Sequence, residues 1–162
     1  MDIRVGFGYD VHQLVKNRDL WLGGVNIPSD KGSLGHSDGD ALIHAICDAL
    51  LGAAALPDIG RQFPDTDAKL KDIDSKILLK KTCELIRKEG FEIGNVDSTI
   101  VLQKPKIASN IPEMKETLAE VMGLEPGQIS VKATTTELMG FEGREEGLSA
   151  YAVALIKRNS LK

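Results

Sequence analysis

A chain of 162 residues with 42% hydrophobic and 27% charged side chains has the make-up of a globular protein long enough to bury its own core. Its net charge of −4 supplies no basic field, which argues against nucleic-acid or membrane partners and leaves any anionic ligand to be held by local groups. The N-terminus lacks a basic region followed by a long apolar run, and Cys47 and Cys83 lie in apolar helical patterns without a C-x-x-C, so one cytoplasmic domain over residues 1–162 with reduced core thiols is expected.

In chain order, Val5, Phe7, Tyr9 and Val11 alternate with Gly6, Gly8, Asp10 and His12, which predicts a strand whose second face is small and then polar. "LWLGGVNIP" follows as a hairpin or bend about Gly23 and Gly24. Behind a Ser37/Asp38 cap signal, Leu42, Ile43, Ile46, Ala49, Leu50 and Ala53 recur at helical spacing, with Asp40, His44 and Asp48 as a polar stripe. Residues 57–74 read as a long loop. A helix over 75–89 uses Ile77, Leu78, Leu85 and Ile86 inward and stops at Gly90. "NVDSTIVLQ" is a strand ending at "KPK", and a helix near Asn110 carries Pro112 in its first turn and Ile111, Met114, Leu118, Val121 and Met122 inward. Two strands, "QISVKATTT" and "LSAYAVALI", complete the chain, the second apolar on both faces and expected to be buried. The order β, β, α, α, β, α, β, β predicts an α/β (α+β) two-layer sandwich with helices on one face of a mixed sheet.

Four clusters have chemical potential. Asp10 and His12 project from one face of a strand, and His44 on the helix would complete an Asp, His, His set with an open fourth position, the donor pattern of catalytic zinc. Asp40, one turn before His44, would orient its ring. A hydrogen-bonded surface pair beside a core histidine fits the same spacing. "HSDGD" at 36–40 places His36 and Ser37 at a helix start suited to phosphate, or is a plain N-cap. Asp58, Asp65 and Asp67 offer acceptors for polyol hydroxyls, or a solvated acidic loop. "KATTTELMGFEGR" combines threonine hydroxyls with Glu137, a hard ligand suited to magnesium, though threonines also simply favour strands.

"GYDVHQL", "LGGVNIP", "GHSDGDALIHAICDALLGAAALPDIGRQFPDTD", "GNVDSTIVLQKPK" and "VKATTTELMGFEGREEG" together resemble the 2-C-methyl-D-erythritol 2,4-cyclodiphosphate synthases of non-mevalonate isoprenoid biosynthesis, from residue 3 to 157. With the resemblance filling residues 3–157, no fused cytidylyltransferase domain is expected. It implies zinc on Asp10, His12 and His44, and a second divalent cation, magnesium or manganese, through Glu137. It implies an intramolecular attack of a 2-phosphate on the β-phosphorus of a cytidine diphosphate, releasing CMP, with His36 and Thr135 polarising phosphate in the transition state. Ser37, Asp58, Ile59, Gly60, Phe63, Pro64, Asp65 and Asp67 match the residues that grip the methylerythritol substrate. Leu102, Lys104, Pro105, Lys106, Ile107 and Ala108, with Ala133, Thr134 and Thr135, match the nucleotide pocket, where Lys104 replaces a small residue.

The resemblance further implies a homotrimer with active sites between subunits and an axial apolar cavity that takes an isoprenoid diphosphate, Phe141 and Arg144 matching its mouth. Tyr151 stands where several relatives carry a glutamate paired with that arginine. Taken without the resemblance, the residues also admit a zinc-dependent phosphohydrolase acting on an external phosphoester, or an oligomeric module with a structural zinc; the second would normally need four ligands.

Overall fold

Alternation in the first strand runs further than its apolar residues suggest: β1 covers Ile3–Lys16 in the computed structural model, which describes residues 2–159. Two short strands, β2 (Leu20–Leu22) and β3 (Val25–Ile27), pair antiparallel about Gly23 and Gly24, and β4 (Lys31–Ser33) returns to pair with the end of β1. Then come α1 (Ala41–Ala53), α2 (Ile59–Gln62), α3 (Ser75–Lys88), β5 (Phe91–Val101), α4 (Ile111–Met122), β6 (Ile129–Thr134), α5 (Gly140–Gly143) and β7 (Gly147–Arg158). The main sheet has the order β4-β1-β7-β5-β6; only β5 and β6 are parallel, so the sheet is mixed, with α1 lying on β1 and β7 and α3 on β5.

Small residues decide how closely α1 approaches. A Cβ at Gly6 would fall 1.9 Å from the Ala49 carbonyl oxygen, and one at Gly8 would fall 1.8 Å from that of Ala45, so helix backbone rests on strand backbone. β7 continues the trough with Ala150, Ala152 and Ala154, all buried. Asp10 and His12 are the next two residues on this face of β1, beyond the glycines and at the start of α1. Gly8→Ala is expected to lower the unfolding free energy by at least about 3 kcal/mol, the upper end of overpacking penalties, because the obstructing atoms are main chain. Gly52→Ala, where the nearest atom lies 4.0 Å away on the exposed side of α1, is expected to stabilise by about 0.5–1 kcal/mol. Denaturant midpoints of the two variants test this; equal midpoints would show that the seam between α1 and β1 can adjust.

Several sequence expectations change. α1 starts at Ala41, capped by Asp40, because Gly39 at φ 76° inserts a turn that carries Ser37 and Asp38 away from the helix. The 57–74 segment is not structureless: Asp58 caps α2 and Asp67 caps a 3-10 turn over Ala68–Leu70. Ile77 is 45% exposed, since the inward stripe of α3 runs through Leu78, Leu79, Thr82, Cys83 and Ile86 and Ile77 falls beside it. β5 begins at Phe91, ahead of the expected strand, with a register shift between Ile93 and Asn95.

β7 is not buried on both faces. Leu148, Ala150, Ala152, Ala154 and Ile156 face the helices, whereas Tyr151 and Val153 emerge on the other side with Val5, Phe7, Tyr9 and Val11 of β1. Phe7 is 62% exposed, and Tyr151 packs its ring 5.1 Å from that of Tyr9 and 6.3 Å from that of Phe7. This uncovered face of the sheet is apolar over at least six side chains. Cys47 and Cys83 are free and buried, and burial pushes both thiols up, Cys83 to about 12, so neither is a nucleophile at neutral pH. Among the described residues, no helix is long and apolar enough to cross a membrane.

Candidate active site

Strand period and helix seat together bring three donors to one point. Asp10 Oδ2 lies 2.8 Å from His12 Nε2 and 3.0 Å from His44 Nδ1, and the two ring nitrogens are 3.2 Å apart. Among the described residues, this is the one group of three or more His, Cys, Asp or Glu side chains whose donor atoms converge. Zinc at the usual ligand distance of about 2.0–2.1 Å would hold tetrahedral donors about 3.3 Å apart, so the triangle needs little adjustment to accept it. His12 Nδ1 is 2.7 Å from the Leu34 carbonyl oxygen, to which it donates, leaving the Nε2 lone pair free for the centre. Two imidazoles and one carboxylate thus fit zinc and leave its fourth position open.

The electrostatics follow from crowding. Burial by itself would raise the Asp10 carboxyl, but hydrogen bonds and charge from His12 and His44 outweigh it and hold the carboxyl down at about 2. Burial would lower His12, but the Asp10 hydrogen bond and charge raise it above its ordinary 6.5. The Asp10 contribution to metal-free stability is present above the unfolded value of 3.8 and is lost as pH falls through about 2. The His12 contribution is present below 6.5 and is lost as pH rises through its raised value. Metal-free protein is therefore expected to gain most from this pair between about pH 4 and 6.5. At pH 5 Asp10→Asn should cost about 1–2 kcal/mol and flatten the pH profile of the denaturant midpoint in chelator. Superimposable profiles would show that the pair adds no stability.

Around the triangle lies a cavity of about 230 Å³ lined by His36, Ser37, Ile59, Gly60, Phe63 and Asp65, with Leu70, Ile73 and Leu78 as its apolar part. Of the expected substrate residues, Asp58, Pro64 and Asp67 do not line it; Asp58 and Asp67 each spend an oxygen capping the local turn. The Nε2 of His36 is buried without a hydrogen-bond partner, so it is left for a ligand. Asp48 holds the entry of this segment by accepting the Ile59 N–H at 2.8 Å.

Two sequence expectations fail here. Asp40 does not orient His44: it is fully buried and its oxygens accept the N–H groups of Gly23, Gly24 and Ile43 at 2.7–3.0 Å. Nor does the α1 N-terminus offer a free set of amides, since Asp40 takes the Ile43 N–H; an anion there would rest on the side chains of His36 and Ser37. What actually touches His44 Nε2 is Ser75 Oγ at 3.0 Å and Ser37 Oγ at 3.2 Å. Sequence alone does not point to Ser75, which lies 31 residues from His44 with nothing in its neighbourhood to suggest more than the first residue of a helix.

The remaining expected residues gather elsewhere. The segments after the parallel strands β5 and β6 are tied together by the Leu102 N–H on the Thr134 carbonyl at 3.0 Å and by the Leu138 N–H on Gln103 Oε1 at 3.3 Å. This brings Leu102 and Gln103 beside Thr134 and Leu138, with Lys104, Pro105 and Lys106 following in the same loop. Thr135 Oγ1 donates to Glu137 at 3.3 Å, and Glu137 and Leu138 take positive φ of 53° and 67°, a conformation costly for residues with side chains and often found at functional sites. Ile107 is buried and Ala108 opens a short 3-10 turn leading into α4. Gln103 to Lys106 line a separate cavity of about 820 Å³ with Lys16, Lys31 and Glu145, and it shares no residue with the cavity at the triangle. Phe141 lines a third hollow beside His12, and Arg144 is exposed and paired with Glu146 at 3.0 Å.

Comparison with known proteins gives consistent results. A model of the YgbB family matches residues 3–157. A 2-C-methyl-D-erythritol 2,4-cyclodiphosphate synthase of Bacteroides fragilis is 62% identical over 158 residues, covering 98% of this chain and 99% of its own length. One from Syntrophobacter fumaroxidans is 59% identical over 155 residues, covering 96% and 98%. Among solved structures, the bifunctional IspDF of Campylobacter jejuni superposes with a TM-score of 0.94 at 43% identity, over 98% of this chain and 43% of that one. A CDP complex of IspF from Plasmodium falciparum superposes at 0.85 with 35% identity, over 98% and 97%.

Proposed function

The chain belongs to the YgbB family, and from that premise we propose that it is a 2-C-methyl-D-erythritol 2,4-cyclodiphosphate synthase. Its substrate is 4-diphosphocytidyl-2-C-methyl-D-erythritol 2-phosphate and its products are the 2,4-cyclodiphosphate and CMP, in non-mevalonate isoprenoid biosynthesis. The observation that carries the reading is the convergence of Asp10, His12 and His44 in the wall of a cavity also lined by His36, Ser37 and Asp65.

In the reaction an oxygen of the 2-phosphate bonds to the β-phosphorus, and the bond from that phosphorus to the oxygen bridging it to the α-phosphate breaks, the electron pair leaving with CMP. Nucleophile and electrophile belong to one molecule, so the protein has to fold the substrate and offset its charge. Zinc held by Asp10, His12 and His44, with magnesium or manganese held through Glu137, would supply Lewis-acid polarisation and neutralise phosphoryl oxygens. His36, with its unpartnered Nε2, and Ser37 hydrogen-bond the phosphate on the triangle side. Ile59, Gly60, Phe63 and Asp65 hold the methylerythritol end, and Asp58, outside the cavity wall, positions them by capping α2. Thr134, Thr135, Lys106 and the main chain of 102–108 hold the cytidine diphosphate.

The active unit is a homotrimer. Two features support it: the apolar sheet face bearing Val5, Phe7, Tyr9, Val11, Tyr151 and Val153 is uncovered in one chain, and the two halves of the expected site line separate cavities. Stacking the sheet faces about an axis covers the first and lets one chain's triangle meet another's nucleotide loop. An isoprenoid diphosphate in the axial cavity would meet Tyr151 in place of a carboxylate, with Arg144 turned to Glu146. Buried free thiols at Cys47 and Cys83 suit a cytoplasmic location for this catalytic domain.

The test is phosphorus NMR of the purified protein with zinc, magnesium and the proposed substrate. A cyclic diphosphate appearing with an equal amount of CMP is expected. Inorganic phosphate or a linear product would instead favour a zinc phosphohydrolase, and unchanged substrate with metal-loaded protein would overturn the assignment.

A further inference from the structure

A metal-ligating histidine has two ring nitrogens, and whichever carries the proton cannot bind the metal. At His44 the choice is made by groups outside the triangle. Its Nδ1 faces Asp10 and His12, and its Nε2 faces the buried Ser75 hydroxyl at 3.0 Å. Behind Ser75 stands Asp38, whose carboxylate accepts the Ser75 N–H at 2.9 Å, the Ser75 O–H on its other oxygen, and the Asp40 N–H at 3.1 Å.

The carboxylate sets the direction of this chain, since Ser37 Oγ, at 3.5 Å from Ser75 Oγ, is a much weaker acceptor than Asp38. An ionised carboxylate only accepts, so Ser75 gives its single hydroxyl proton to Asp38. The Ser75 oxygen then presents a lone pair to His44 and can only receive a proton from it. Without metal, Asp10 Oδ2 at 3.0 Å accepts a proton from Nδ1; when a metal takes the place of that proton, Ser75 still holds Nε2–H, so the Nδ1 lone pair is the one turned into the triangle. Ser37 also reaches Nε2, at 3.2 Å, but its hydroxyl is not held by a carboxylate and so does not select between tautomers. The backbone reinforces the arm: the Asp38 N–H bonds to the Ile73 carbonyl at 3.2 Å and the Asp72 N–H to the His36 carbonyl at 2.8 Å, so the 36–38 segment is laced to the entry of α3.

We propose that Ser75 and Asp38 are positioning residues that hold His44 with its Nδ1 lone pair turned to the candidate metal centre. The inference rests on the metal reading of the triangle. It also assigns the two serines different work: Ser75 orients the ring, and Ser37 keeps its hydroxyl proton for the cavity.

Zinc affinity measured by competition with a chromophoric chelator, and proton–nitrogen NMR of zinc-loaded protein labelled in its histidine rings, test this without any turnover. In the parent the His44 Nε2–H is expected as a slowly exchanging ring proton. In Ser75→Ala it should exchange at least about tenfold faster and zinc should bind about 10- to 100-fold more weakly, the range seen when a metal ligand loses its outer hydrogen-bond partner. Ser37→Ala should keep the slow exchange and bind zinc within about twofold of the parent. Asp38→Ala, at a half-buried site, should reproduce the Ser75→Ala loss and serves if the buried alanine prevents folding. Parent-like zinc binding and exchange in Ser75→Ala or Asp38→Ala would overturn the inference alone, as would an equal loss in Ser37→Ala. A parent that binds no zinc would overturn the metal reading and the inference together.

Discussion

His44→Ala is expected to strip the purified protein of zinc and to lower turnover at least about a thousandfold, while the protein still folds. Three donors are the fewest that keep a catalytic zinc in place, and the remaining Asp10 and His12 come from one strand and cannot enclose an ion from two sides. The ring sits at the edge of the core, with 13% of its side chain exposed, so truncation leaves a space open to the cavity and not a sealed void. Glu137→Ala is the contrast: it lies on the exposed turn after β6, so zinc should stay at one per chain while turnover falls. Metal analysis after desalting, paired with CMP release, reads both. Stoichiometric zinc in His44→Ala, or loss of zinc in Glu137→Ala, would break the division of roles between the two sites.

Phe7→Glu is expected to convert the proposed trimer to monomers and to remove at least about 99% of the activity. The side chain is 62% exposed at the centre of the apolar sheet face, beside Tyr151, so within one chain a carboxylate there is solvated and harmless to folding. About a threefold axis the same change would bury three like charges in an apolar environment, where each unpaired ion costs several kcal/mol. Sedimentation should show the mass falling to the 17.5 kDa of a single chain, with an unfolding midpoint close to that of dissociated parent. A variant that remains trimeric and active would remove this face from the interface. A fully active monomer would show that each chain holds a complete site.

The sequence was most informative where one local period governs. Residues two apart on β1 face the same way, and His44 follows the polar side of α1, so the triangle could be read from spacing. The same rule misled at Asp40: four residues from His44 would share its helix face, but Asp40 is the cap, outside the helix, and its carboxylate turns back to backbone amides. β7 shows a second limit. Apolar residues on both faces of a strand signal that both are covered, but not whether the cover is the same chain or another copy. Ser75 shows a third, because its pairing with Asp38 and His44 arises only when α3 docks against the start of α1. The aspartates of the 57–74 segment carry a legible capping signal, since Asp58 and Asp67 each precede a short helical turn that they cap.

The glycines beneath α1 also decide which parts of this molecule are free to vary. Because main chain touches main chain at Gly6 and Gly8, the offset between Asp10 and His44 is set without any intervening side chain. Leu42, Ile46 and Leu50 can thus be exchanged for other apolar residues of similar volume, altering stability through their packing, while the Asp10, His12 and His44 triangle stays in register. Sequence drift in the core and precision at the catalytic centre are thereby uncoupled, and a designer could rebuild the former for thermal tolerance without retuning the latter.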